Sequence, residues 1–240
     1  MTTKEIPFGG HPTVGAAGHH HAAHKAGDIP VVRGAGTVRL RVTIDFHASV
    51  SIPSVKALQP HLTDADCING ASGAEACTSI VKGVSFLILA LTSEDALARL
   101  QLYPKPLAIP DEITGNWGHR LAALYAFYER SDGVVRTRMF DGVMEDPATG
   151  AAASTFSGWL VQQRGPGVHT VNILQGVEMG RRSDIKVVVH VGSDNIVQEI
   201  SLEGAAVQVM EGTHFGINSE SVGFTGIGGQ SSLINPRCNT

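Results

Sequence analysis

Cysteine, charge and long apolar runs are all scarce in this chain. Its 240 residues include three cysteines, Cys67, Cys77 and Cys238. So small and odd a number excludes a disulfide framework and suits a reducing compartment. No apolar stretch approaches the ~18 residues of a membrane-spanning helix. The opening residues 1–8 carry no apolar signal core. The cytosol is therefore the expected compartment, with no membrane partner. Charged residues make up 17% and the formal net charge is −4. No block of about five like basic charges stands out, so no nucleic-acid partner is expected either. Apolar residues, by contrast, reach 42%, enough at this length for a sizeable core. Glycine is plentiful at 28 residues. Residues 215–240, rich in Gly, Ser and Asn, read as a loose tail.

Periodicity places the elements. Residues 37–46 alternate Val38, Leu40, Val42, Ile44 and Phe46 with polar neighbours, the mark of a half-buried strand. Residues 84–91 are continuously apolar but for Ser85 and read as a buried strand. Ser93 caps a short helix, with Glu94 and Asp95 in its first turn. Residues 119–130 fit helix or strand. The Asp132-Gly133 pair that follows favours strand–turn–strand. Further strands are expected at 185–191, 195–202 and 205–210. Pro104, Pro106 and Pro110 suggest a boundary between an N-terminal half, 1–103, and a C-terminal half, 104–214.

One internal echo links the halves. His11-Pro12-Thr13-Val14-Gly15-Ala16-Ala17 reads against Asp146-Pro147-Ala148-Thr149-Gly150-Ala151-Ala152, 135 residues later. Each copy is a loop feeding a helix of small residues, the first over 13–25. A helix N-terminus offers unpaired N–H groups and partial positive charge, so each copy suits a carboxylate or phosphate. Facing each other, they would bring a histidine, a carboxylate and two sets of donors into one cleft. Such a set binds an anionic molecule and moves a proton. The plainer alternative is that Asp146 caps a helix and His11 bonds backbone in a turn.

These residues carry a resemblance. Glu5-Ile6-Pro7-Phe8-Gly9-Gly10-His11-Pro12-Thr13-Val14-Gly15 resembles the E-x-P-F-x-G-H-P-T-x-G signature of the phenazine-biosynthesis isomerase (PhzF-like) family. Arg138-Met139-Phe140 and Glu145-Asp146-Pro147-Ala148-Thr149-Gly150 resemble its R-x-F and E-D-P-A-T-G elements. Gln175-Gly176, Met179-Gly180-Arg181 and Glu211-Gly212-Thr213 follow its later pattern. The resemblance implies an α/β fold like diaminopimelate epimerase: two pseudo-symmetric domains, each a curled mixed sheet around a central helix. It implies a cofactor-free, usually dimeric isomerase that shifts a proton on a small carboxylated molecule. The best-defined substrate of the family is trans-2,3-dihydro-3-hydroxyanthranilate, and its associations point to secondary metabolism. His11 and Asp146 would be the catalytic pair. Gly10, Thr149, Gly150 and Ala151 would bind the substrate anion through backbone N–H groups.

Three departures accompany the resemblance. Family members carry a front segment with a glutamate as the main acid/base, and no residue here matches that glutamate. Glu5 belongs to the signature itself. Ala151 stands where the family usually has Ser, which removes a hydroxyl and keeps the N–H. The segment between Phe140 and Glu145 looks shorter than usual. A catalytically deficient binding or scaffold protein on the same fold is therefore the alternative reading. Other candidates weigh less. Cysteines are missing from both helix starts, so a two-thiol racemase is disfavoured. His19, His20, His21 and His24 lack a third ligand at a recognised spacing, so no metal is expected. Ser154, Thr155 and Ser157 lack a nucleophile elbow. Arg181-Arg182 reads as a solvated turn. Trp117, Trp159, Tyr125 and Phe127 read as core.

Overall fold

The computed structural model describes residues 31–32, 37–40 and 55–204, apart from 72, 74, 82, 108 and 110–118. The expected helix over 13–25, residues 41–46, the strand at 205–210 and the tail lie outside the described residues. So do Gly10, His11 and the histidines at 19–24.

The described strands are β1 (Val31–Val32), β2 (Thr37–Leu40), β3 (Ala76–Val81), β4 (Gly83–Ala90), β5 (His119–Glu129), β6 (Val134–Asp141), β7 (Met144–Asp146), β8 (Gly167–Gln175), β9 (Ser183–Val191) and β10 (Val197–Gly204). They form one sheet in the order β1-β2-β10-β9-β8-β6-β5-β4-β3, with β7 paired to β6. Neighbours β4 and β5 run parallel, as do β6 and β8. The remaining pairs are antiparallel. The described α-helices are α1 (Val55–Leu58), α2 (Glu94–Ala98) and α3 (Gly150–Gln162).

The apolar run of β4 follows from burial on both faces. Val84, Phe86 and Ile88 join one core cluster, while Leu87 and Leu89 join the other. Alternate residues of a strand point to opposite faces, and a parallel pair covered on both sides has no wet face to alternate with. The strand–turn–strand reading of 119–140 holds. At its turn, Gly133 has φ 81°, a left-handed conformation that glycine adopts without steric cost. Asp132 Oδ1 accepts the Val134 N–H at 3.1 Å beside it. Ser93 caps α2, its Oγ accepting the Ala96 N–H at 3.0 Å. The expected strand at 195–202 runs instead from Val197 to Gly204. Asn195 sits at φ 60° in the preceding turn and cannot extend the ladder. Strands β1, β3, β7 and β8 add to those read from periodicity.

The sheet curls around α3. That helix packs against β3 and β4 toward one edge and against β8, β9 and β10 toward the other. Every residue from Gly150 to Gly158 is buried. The run Gly-Ala-Ala-Ala-Ser-Thr carries only small side chains, which lets strands approach on all sides. Larger groups enter in the second turn. Phe156 meets Tyr125 at 5.6 Å and Phe127 at 4.7 Å between ring centroids, and Trp159 packs against both phenylalanines. Beyond α2, the proline stretch lies against the second cluster, burying Tyr103, Leu107 and Ile109.

Glu75, just before β3, is 3% exposed. Burial pushes its carboxyl up from an ordinary 4.5 to about 7, and Asn69 offsets part of this. Between these values the folded chain holds a proton that the unfolded chain releases. Stability is therefore full below about pH 4.5 and falls as pH rises toward 7. The expected loss is roughly 3 kcal/mol at most, measured by urea unfolding at pH 5 and pH 8. Glu75→Gln should flatten the difference.

Candidate active site

The residues 146–150 join β7 to α3, and their geometry starts from a carboxylate that organises its own turn. Asp146 Oδ1 accepts the Ala148 N–H at 3.2 Å, and Oδ2 accepts the Thr149 hydroxyl at 2.8 Å. Asp146 is thus not the cap of α3. The capping position belongs to Thr149, whose side chain makes no capping bond because it faces Asp146. The first intrahelical bond recorded is from Ala153 N–H to the Thr149 carbonyl, at 2.9 Å. The N–H groups of Gly150, Ala151 and Ala152 precede it and have no helical acceptor. No acidic side chain occupies the first turn of α3. The positive end of the helix dipole therefore stands in a buried setting, where charge is less screened.

Two strands clamp this turn. From β8, Gln175 Nε2 donates to the Asp146 carbonyl at 2.7 Å and to Thr149 Oγ1 at 3.0 Å. Gly176 follows at φ 75°. A Cβ there would lie 2.8 Å from the Pro147 carbonyl oxygen and 2.4 Å from that of Arg181, so only glycine lets the two backbones meet. From β6, Arg138 forms a two-pronged pair with Glu145 at 2.8 Å on each arm. Its remaining nitrogen donates to the carbonyls of Leu97, Ala98 and Leu100 at 2.9–3.0 Å, at the C-terminal end of α2. Arg138 also lies 4.8 Å from the centre of the Phe140 ring. The residue before Asp146 is therefore fixed by a buried ion pair with good geometry.

Of the site residues expected from sequence, Asp146, Thr149, Gly150 and Ala151 come together here. Gly10 and His11 lie outside the described residues. Gln175, Arg138 and Glu145 stood in the sequence motifs without an assigned role, and Tyr125 read simply as core. Its ring is in the core, but its hydroxyl reaches Gln175. Ser154, Thr155 and Ser157 are fully buried on α3, and Thr155 donates back to the Ala151 carbonyl at 2.8 Å. Burial pushes the Cys67 and Cys77 thiols up to about 11, which makes them unreactive near neutrality. Arg181 and Arg182 are exposed, and Arg182 pairs with Asp184 at 2.8 Å.

A groove of about 570 Å³ is lined by Arg130, Asp132, Asn172, Arg182, Asp184 and Lys186, among others, and by no residue of the Asp146 turn. Its cations pair with acids beside them, Arg130 with Asp132 at 3.0 Å and Lys186 with Glu203 at 2.9 Å. It therefore offers an anion little. Among the described residues, no group of three or more His, Cys, Asp or Glu is placed to hold a metal ion. None of the described helices is long and apolar enough to cross a membrane.

Arg138→Met would leave the Glu145 carboxylate buried without its partner and deprive three carbonyls of a donor. The expected cost is about 3 kcal/mol or more, read as a lower urea midpoint. A loss below about 1 kcal/mol would mean that Arg138 does not hold this turn in place.

Comparison with known proteins bears on the same residues. The family model described as phenazine biosynthesis-like protein (PhzC-PhzF) matches residues 2–212. A relative from Mesorhizobium japonicum, described as an uncharacterized isomerase, is 27% identical over 234 aligned positions, covering 88% of this chain and 76% of that protein. A second uncharacterized isomerase, from Pasteurella multocida, is 29% identical over 196 positions, covering 74% of this chain and 61% of that protein. Among solved structures, the fold is similar to that of the PhzF-family phenazine biosynthesis protein of Bacillus anthracis. That likeness has a TM-score of 0.51 at 17% identity and covers 74% of this chain and 60% of that one. The family match takes in the E-D-P-A-T-G turn, the Gln175–Arg181 element and the sheet that clamps them, and the chain belongs to the phenazine biosynthesis-like (PhzC-PhzF) family.

Proposed function

We propose that the chain is a cofactor-independent isomerase that moves a proton on a small carboxylated metabolite. One observation supports this above the rest. The Asp146 carboxylate is held rigidly beside the N-terminus of a buried helix whose first N–H groups have no helical acceptor. In this reading the N–H groups of Thr149, Gly150 and Ala151 receive the substrate carboxylate, joined by that of Gly10. Asp146 and His11 polarise the substrate and relay the proton between carbon atoms. Stabilising negative charge where it develops lowers the barrier to forming a carbanion or enol, and positioned acid–base groups contribute typically 10²–10⁴ in rate. Ala151 supplies its N–H without the hydroxyl that serine would add. The site would lie where the halves 1–103 and 104–214 meet, in a dimer that works in the cytosol on secondary metabolism.

The test is deuterium uptake from D₂O, followed by NMR, with dihydro-hydroxyanthranilate and related cyclic or enol acids. The wild type should exchange. Asp146→Asn keeps an oxygen for the Ala148 N–H and should remain folded while losing exchange by about 100-fold or more. Unchanged exchange in that variant would remove Asp146 from the mechanism. Carboxylate binding by a folded wild type without any exchange would favour a binding protein on the same fold.

A further inference from the structure

A chain of buried polar groups leads from the core to Asp146, and chemistry alone fixes its direction. The Asp146 carbonyl can only accept, so the Gln175 atom 2.7 Å from it is the amide nitrogen. That same nitrogen lies 3.0 Å from Thr149 Oγ1, so the threonine oxygen accepts there. The Thr149 proton is then left for Asp146 Oδ2, 2.8 Å away. With its nitrogen so placed, Gln175 turns Oε1 toward the Tyr125 hydroxyl at 3.3 Å. An amide oxygen only accepts, so the phenol spends its one proton on it. Thr137 Oγ1, 3.2 Å from the phenol oxygen, must then be the donor to it. Thr137, Tyr125 and Gln175 are completely buried, and Thr149 nearly so. The first three are thereby shielded from bulk water.

We propose that Gln175 is a positioning residue for Asp146, acting as the central link of a one-way donor chain that runs Thr137 to Tyr125 to Gln175 to Thr149 and ends on the carboxylate. The proposal rests on Asp146 being the acting group. The sheet supplies the links. Thr137 and Gln175 are opposite one another in the parallel pair β6–β8, and Tyr125 projects from β5 alongside. Hydrogen bonds in such a chain polarise one another, so each donor strengthens the next. The result is a carboxylate whose Oδ2 is supplied from the core and whose orientation cannot drift. A 1 Å displacement of a catalytic group costs on the order of 100-fold in rate, which is the advantage of so long a tether. Burial drives the Tyr125 phenol well above its ordinary range. The chain therefore orients and polarises, and does not carry a proton out through a phenolate.

The experiment labels aspartate at the carboxyl carbon and follows the Asp146 signal by NMR, assigned by its loss in Asp146→Asn. Gln175→Leu should shift it. Tyr125→Phe and Thr137→Val, which do not touch Asp146, should shift it in the same direction by less, leaving the Asp132 and Asp184 signals in place. In the exchange assay, Gln175→Leu should lower kcat by about 100-fold with KM nearly unchanged, since the N–H groups that hold the carboxylate remain. An Asp146 signal unmoved in both Tyr125→Phe and Thr137→Val overturns the chain, even if Gln175→Leu fails to fold. If the wild type exchanges none of the acids, the isomerase reading fails and the carbon signal still decides this one.

Discussion

The structure turns on the enclosure of α3. Over its first nine residues the helix is buried on every side, so the polarity of that stretch is expressed at its N-terminal end. The sheet must curl to cover it, and small side chains must line it so that strands from both flanks can reach it. These demands explain the composition of the helix better than intrinsic propensity does. They also explain why polar groups collect at residues 146–151. The turn that feeds the helix is where a low-dielectric core, a helix dipole and unpaired donors meet.

Around that turn, polar groups stand in for flexible anchoring. Arg138 ties the preceding residue to the end of α2, and Gln175 ties the turn itself to β8. Each brings a buried polar group whose hydrogen-bonding capacity is largely filled, the condition under which burial of polarity is tolerated. Gly176 adds a steric requirement, since its missing side chain is what brings the β8 exit against Pro147. The three devices act from two strands, Arg138 from β6 and Gln175 with Gly176 from the end of β8, and together they hold the carboxylate in place.

Much of this was legible in sequence, for reasons that differ by element. Residues 84–91 read correctly because an apolar run of that length admits few alternatives, and 132–133 because Asp-Gly has a specific turn chemistry. Strand β8 escaped notice because its first half is polar or exposed, with Val168 70% exposed, and its alternation starts only at Val171. The Asp146–Gly150 turn was legible from its echo at residues 11–15. The part played by Gln175 was not, because it depends on a contact across 29 residues that only the register of β6 and β8 creates. Tyr125 read as core, and is core, yet its hydroxyl gains a use from the neighbour that the sheet places beside it.

The clamping of the turn from distant strands bears on how the protein folds. Arg138 reaches carbonyls about forty residues earlier in the chain, and Gln175 reaches back across the whole of α3. Contacts so remote in sequence require loop closure before they can form. The site therefore has no local nucleus of its own and belongs to the same cooperative unit as the core. The clamped turn and the global fold should appear together on refolding, and heat should take both away in one step.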